Sequence, residues 1–265
     1  MKRYHWLLLP ALIFSIIGCG SDDKPSDTGT STPPPAAPSI NYKLLSTHAH
    51  DTSYFTEGLE FYKNTLIEST GNYGKSKLIK MDTATGRVIQ SVDLDARFFG
   101  EGVTVLNDTL YQLTYKENTV LVYDARTFKK IREFTIRGEG WGLTNDGKSI
   151  IASNGSSDIF YYDPATFNLQ RTVSVREGGS MVPNINELEY VDGFIYANQW
   201  QYSDIIKINA QTGEVVGKID LSSITSSVKQ KEPWADYLNG IAYNPATKKF
   251  LITGKYWSQM LEVQF

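Results

Sequence analysis

Cysteine and histidine are nearly missing from this chain: one Cys and three His in 265 residues. The one cysteine is Cys19, so no disulfide can form within the chain, and no thiol remains beyond it for catalysis or metal ligation. His48 and His50 are the only histidines after His5, and two imidazoles do not complete a zinc site. No metal and no cofactor are expected. Excess charge of one sign is also lacking. Net charge is -3, with Lys and Arg scattered among Asp and Glu, so no basic face for nucleic acid is expected. Long helical periodicity is absent as well. The segment Leu221 to Asp236 is the one candidate for a helical insertion.

What is present begins with a targeting pattern. Lys2 and Arg3 precede an apolar stretch from Trp6 to Ile17 that is short for a membrane span. It ends Ile16-Ile17-Gly18-Cys19, which resembles the lipobox of bacterial lipoproteins. The expectation is a signal peptide over 1–18 and acylation of Cys19. The protein would then be lipid-anchored in a bacterial cell envelope, facing the periplasm or the cell surface. Residues 19–40, rich in Ser, Thr, Asp and Pro, read as a disordered tether. Residues 41–265 read as a single domain, expected to be a monomer.

That domain repeats one phrase five times: a small acidic, amide or glycine cluster, an apolar run, a turn, and a second apolar run. The openings are Thr56-Glu57-Gly58-Leu59, Gly100-Glu101-Gly102-Val103, Gly140-Trp141-Gly142-Leu143, Asn186-Glu187-Leu188-Glu189 and Leu238-Asn239-Gly240-Ile241. The period, roughly 40 to 50 residues, is that of a propeller blade. The fold predicted is all-β, a five-bladed β-propeller closed by an N-terminal strand near Leu44 to Thr47 that joins the last blade. Each repeat also carries an Asp or Asn followed by a Thr-containing turn, as in Asp82-Thr83-Ala84-Thr85-Gly86, the mark of a tight hairpin.

A propeller brings the first strand of every blade to one axis, so Glu57, Glu101, Trp141, Asn186 and Asn239 are expected at one mouth. Glu101 lies between two glycines and beside Phe99. Two readings stay open for it: a proton shuttle with a raised pKa, or a strand-start carboxylate bonded to backbone amides. Glu57 and Glu60, three apart, would point to opposite faces unless a bulge intervenes; Glu187 and Glu189 share a face. Phe55, Tyr115, Trp141, Trp200 and Trp257 stand near blade ends, where they could line one apolar pocket. Lys255, in an apolar strand end, calls for a carboxylate partner or a ligand.

Together the strings Phe55-Thr56-Glu57-Gly58-Leu59, Phe99-Gly100-Glu101-Gly102, Gly140-Trp141-Gly142-Leu143, Asn186-Glu187-Leu188-Glu189-Tyr190, Ala197-Asn198-Gln199-Trp200, Leu238-Asn239-Gly240-Ile241-Ala242 and Thr253-Gly254-Lys255 resemble the plant and bacterial type of glutaminyl-peptide cyclotransferase. The resemblance runs from about Tyr42 onward. It implies conversion of the N-terminal glutamine of peptides or proteins to pyroglutamate, with release of ammonia and without a metal. It further implies Glu101 as the catalytic carboxylate, supported by Asn186 and Lys255. The substrate wall it implies consists of Phe55, Phe99, Trp141 and Trp200. Two positions depart from the pattern. Tyr115 stands where plant members have Trp, and Glu57 where Gln is common; both are carried as substrate-binding candidates. Two competing readings are a calcium-dependent, lactonase-like hydrolase using Glu57, Glu101, Asn186 and Asn239 as ligands, and a non-catalytic ligand-binding propeller.

Overall fold

The structure, a computed structural model, describes residues 36–265. The expected signal peptide, Cys19 and most of the expected tether lie outside the described residues.

Strand β1 (Lys43–Ala49) comes first. The first blade follows as β2 (Thr56–Tyr62), β3 (Thr65–Thr70), β4 (Lys77–Asp82) and β5 (Val88–Asp93). The second is β6 (Gly100–Leu106), β7 (Thr109–Thr114), β8 (Thr119–Asp124) and β9 (Lys130–Thr135). The third is β10 (Leu143–Asn145), β11 (Ile150–Ala152), β12 (Asp158–Tyr162) and β13 (Leu169–Ser174), and a small hairpin, β14 (Arg176–Glu177) and β15 (Ser180–Met181), comes after it. The fourth is β16 (Ile185–Val191), β17 (Phe194–Gln199), β18 (Asp204–Asn209) and β19 (Val215–Asp220). A single helix among the described residues, α1 (Ser222–Lys231), falls inside the segment anticipated for it. The fifth blade holds β20 (Leu238–Asn244), β21 (Lys249–Gly254) and β22 (Gln259–Gln264). Its sheet order is β1-β22-β21-β20, so the N-terminal strand closes the five-bladed ring as expected.

The burial patterns follow from this stacking of sheets. Central strands are covered on both faces and are buried almost throughout, as in β8 with Val120, Leu121, Val122 and Tyr123. Outer strands have one wet face, and β5 and β9 are mostly exposed. The anticipated hairpins form as the side chains dictate. Asp82 Oδ1 accepts from Thr85 N and Thr85 Oγ1, both at 2.8 Å, and Asp124, Asp163, Asn209 and Asn244 accept from the turn amides that follow them.

Two features of the closure go beyond the strand pairing. His50, just after β1, lies between Glu68 of the first blade, 3.0 Å from its Nε2, and the Trp257 carbonyl of the fifth, 2.9 Å from its Nδ1. Burial pulls the His50 pKa down, but the Glu68 carboxylate outweighs it and the net direction is up. The chain is also fixed earlier than the expected tether end at residue 40. Lys218 N donates to Pro38 O (2.9 Å) and Ile40 N donates to Lys218 O (2.7 Å), because the outer edge of β19 offers backbone groups that this segment can pair.

Candidate active site

The first strands of the five blades pack side by side around the axis, and glycine is what lets them approach. A Cβ on Gly102 would lie 2.4 Å from Leu143 N, and one on Gly142 2.0 Å from Asn186 O. Four of these strands shift register at their start, between Thr56/Gly58, Gly100/Val103, Ile185/Leu188 and Leu238/Ile241. Glu57, Glu101, Asn186 and Asn239 all occupy these shifts. A bulge frees a residue from strict alternation and re-aims its side chain. The shift at Thr56/Gly58 takes Glu57 out of strict alternation, so Glu57 and Glu60 are not forced to opposite faces, and both carboxylates push the Glu187 pKa up.

The second strand of a blade clamps the first strand of another. Ser69 Oγ donates to Glu101 O and itself accepts from Gln112 Nε2 (2.8 Å). Ser153 Oγ donates to Asn186 O (2.6 Å), and Asn198 Oδ1 accepts from Gly240 N (2.9 Å). These residues were not singled out as site residues from sequence. Their common signal is a small polar residue at the end of an apolar second strand.

At the mouth, Lys255 Nζ donates to Glu57 Oε1 at 2.8 Å, with both side chains almost sealed from solvent. The ammonium also sits 4.4 Å from the centroid of the Phe55 ring. Asn239 Nδ2 donates to Thr56 O (2.9 Å) and Glu57 Oε2 (3.1 Å), so two residues of the fifth blade hold Glu57. Burial raises the Glu57 pKa, opposed by Lys255. Glu57 is therefore committed to an internal cation, which argues against its use as a calcium ligand.

Glu101 differs from every neighbouring carboxylate. Glu187 bridges Leu59 N (3.2 Å) and Ile241 N (2.8 Å), Glu189 accepts from Tyr243 N (2.7 Å), and Glu60 accepts from Thr104 Oγ1 (3.0 Å). The Glu101 carboxyl has no hydrogen-bond partner among the described residues, although the residue is only 5% exposed. Its oxygens are nevertheless not among the fully sealed unpaired atoms, so they retain contact with solvent. Of the two readings left open by sequence, the bond to backbone amides is the one the geometry removes. Burial lifts the Glu101 pKa well above the ordinary range; Glu57 raises it, Lys255 lowers it, and Glu139 and Glu117 add smaller upward pushes.

Asn186 Oδ1 is buried without a partner. Asn198 Nδ2 and Asn239 Oδ1 share this state, while Asn186 Nδ2, which also has no hydrogen-bond partner among the described residues, is not among the sealed atoms.

Half-buried aromatic rings surround these groups. Phe99 packs against Phe55 (6.1 Å between centroids), Tyr73 (5.5 Å) and Tyr115 (5.6 Å), and Phe55 against Tyr256 (5.0 Å). A second group joins Trp141 edge-on to Trp200 (5.8 Å), and Trp200 to Tyr237 (6.2 Å). Glu139 Oε2 accepts from Trp141 Nε1 (3.1 Å), and Glu117 accepts from Tyr73 OH (2.8 Å) and Phe99 N (3.3 Å). Trp257 is the correction in this set. It is 1% exposed, donates to Asp236 O, and packs in the core of the fifth blade, where its ring fills the space a Gly254 side chain would take. Tyr73, Tyr237, Tyr256, Glu117 and Glu139 were not anticipated as site residues, because they come from loops outside the five repeated openings, where the period gives no alignment. A cavity of about 530 Å³ lies elsewhere, among His48, Met81, Asp82, Lys249 and Glu262, and contains none of the groups above.

Comparison with known proteins adds the following. The model of a family described as glutamine cyclotransferase matches residues 15–265. A glutaminyl-peptide cyclotransferase of Arabidopsis thaliana is 36% identical over 225 residues, covering 84% of this chain and 70% of the plant protein. The crystal structure of Myxococcus xanthus glutaminyl cyclase is similar with a TM-score of 0.80 and 33% identity, covering 86% of this chain and 97% of that one.

Proposed function

This chain belongs to the glutamine cyclotransferase family, and from that premise we propose how its mouth converts the N-terminal glutamine of a peptide to pyroglutamate. The enzyme is a glutaminyl-peptide cyclotransferase. The α-amine nitrogen attacks the γ-carboxamide carbon, a ring C–N bond forms, the carboxamide C–N bond breaks, and ammonia leaves. No enzyme nucleophile is required. The protein folds the glutamine side chain into a reactive shape, excludes water and moves one proton.

Phe55, Phe99, Tyr115, Trp141 and Trp200 supply the apolar wall for the glutamine methylenes. Glu101 takes the proton from the attacking amine and delivers it to the departing nitrogen. Burial raises the Glu101 carboxyl well above its ordinary range, which narrows the gap to the substrate amine and favours proton exchange in both directions. Lys255 already spends one N–H on Glu57 and turns its charge to the Phe55 face. A remaining N–H donates to the developing oxyanion. Asn186 Nδ2, unpaired and not sealed, donates to the γ-carboxamide oxygen and polarises it.

One observation carries this assignment: Glu101 is the buried carboxyl at the mouth with no internal partner. The experiment is an ammonia-release assay on a Gln-initiated peptide with wild type and Glu101→Gln. Wild type releases ammonia and the folded variant loses at least about 100-fold in kcat; a variant with wild-type turnover removes Glu101 from the role.

The sequence pattern around Cys19 supports a lipid anchor in a bacterial cell envelope, and a monomer is proposed there. A Cys19→Ser protein that still fractionates with membranes overturns the anchor, and a dimer mass in sedimentation overturns the monomer.

A further inference from the structure

Eleven large hydrophobic side chains are exposed among the described residues, and most are aliphatic. The four aromatic ones are Tyr73 (53%), Trp200 (37%), Tyr202 (50%) and Trp234 (59%), and all lie on loops at the end of the toroid that carries Glu101 and Lys255. Three of them fall between β17 and β20. Aromatic rings left bare together at a mouth mark a contact surface more often than chance does.

These three residues are held in place. The loop bearing Trp200 and Tyr202 is tied to α1 through Leu221 N to Ser203 O (3.0 Å) and Ser203 Oγ with Thr225 Oγ1 (2.8 Å). The segment after Trp234 is tied to the mouth itself: Asp236 N donates to Lys255 O (2.8 Å) and Lys255 N to Tyr237 O (2.9 Å). Trp200 is the hinge between the two regions. Its ring meets Trp141 on the pocket side and Tyr237 on the other. The opposite rim, with Lys116, Glu117 and Glu139, is charged. A peptide whose first residue fills the cup therefore leaves it between a charged rim and an aromatic one.

We propose that Trp200, Tyr202 and Trp234 form an aromatic shelf that binds apolar side chains at the second and third positions of the peptide substrate. The inference rests on the cyclotransferase reading and narrows its substrate class to peptides with apolar or aromatic residues directly after the glutamine. Continuity with the pocket selects this occupant, since a bound N-terminal glutamine must extend its chain out of the same opening. Rigid exposed rings lose little conformational freedom on binding, so the apolar contacts together are worth about tenfold in affinity.

The test compares Gln-Gly-Gly-Gly amide with Gln-Phe-Leu-Gly amide on wild type and on a Tyr202→Ala/Trp234→Ala protein. Wild type is expected to favour the apolar peptide about tenfold in kcat/KM, through KM. The double variant is expected to lose that preference while its kcat/KM on the glycine peptide is unchanged. Equal handling of the two peptides by wild type, or a preference that survives in the variant, overturns the shelf. Binding of wild type but not variant to phosphatidylglycerol vesicles, with the peptide preference intact in both, overturns it in favour of a membrane contact. Absence of ammonia release from either peptide by wild type overturns the cyclotransferase reading itself, and the shelf with it.

Discussion

Glu57 and Lys255 stand 198 positions apart in sequence and 2.8 Å apart in the folded chain, forming a nearly sealed ion pair at the mouth of the propeller. The pair does two things for Glu101. Lys255 draws its pKa down, while the Glu57 charge drives it up. Replacing Glu57 with Gln keeps an acceptor for Lys255 and removes the opposing charge. Glu101 then titrates lower, and the acid limb of kcat/KM moves to lower pH. A pH–rate profile on a Gln-initiated peptide checks this; an unmoved limb means that the limb reports some other group.

Gly155 offers a second handle on the pocket. Its φ is +79°, and a Cβ there would lie 2.6 Å from Trp141 Cζ2. Gly155→Ala must displace the indole that Glu139 holds. KM is expected to rise about tenfold, with a stability loss of about 1–2 kcal/mol from the backbone strain. Gly147→Ala provides the control, since Gly147 has a φ of +82° and nothing within 4 Å of its would-be Cβ. It should show the stability loss without the change in KM. Equal KM values in the two variants would remove Trp141 from the substrate wall.

How much of this was readable beforehand depends on the range of the interaction. The blade count was visible because backbones meet at the axis, and Gly58, Gly102, Gly142 and Gly240 repeat where a side chain would collide. The hairpins were visible because Asp82 and its counterparts act within three residues. Lys255 announced its need for a partner but not which one, because Glu57, Glu101 and Glu187 are alike in local sequence. What separates them is where their oxygens end: on an ammonium, on nothing, or on two backbone amides. Only the register shifts of the inner strands decide that, and a bulge leaves no mark in composition. Tyr73, Tyr237 and Tyr256 were illegible for a related reason: their ring contacts join different blades.

Glu187 is the one inner-strand residue with a long side chain in the slot that other blades fill with glycine. It crosses the axis to accept from Leu59 N and Ile241 N. A glutamine has one acceptor oxygen for these two donors, and an alanine has none. Glu187→Gln is expected to lose about 2 kcal/mol of folding stability and Glu187→Ala about 4 kcal/mol, part of the latter from the space left on the axis. Urea denaturation gives both values. If the alanine protein were as stable as wild type, the fourth blade would need no such strut.

Deeper in the channel, Glu60 is raised by burial from its ordinary 4.5 to about 8, partly opposed by the Thr104 hydroxyl. The folded protein therefore holds this proton more tightly than the unfolded chain does. The stability Glu60 contributes is complete below pH 4.5, where both states are protonated, and is lost as the pH rises through the folded value near 8. The slope is at most about 1.4 kcal/mol per pH unit. Glu189 and Glu187, also raised by burial, push the same way, and Glu60 contributes to each of their shifts. Glu60→Gln keeps an acceptor for Thr104, removes the titration and relieves both neighbours. Its folding stability, measured by urea denaturation at intervals across this window from pH 5 to 8, should fall less steeply than that of wild type. Parallel curves for the two proteins would mean that the Glu60 carboxyl is already charged and hydrated in the folded state, and that the lower channel is open to water.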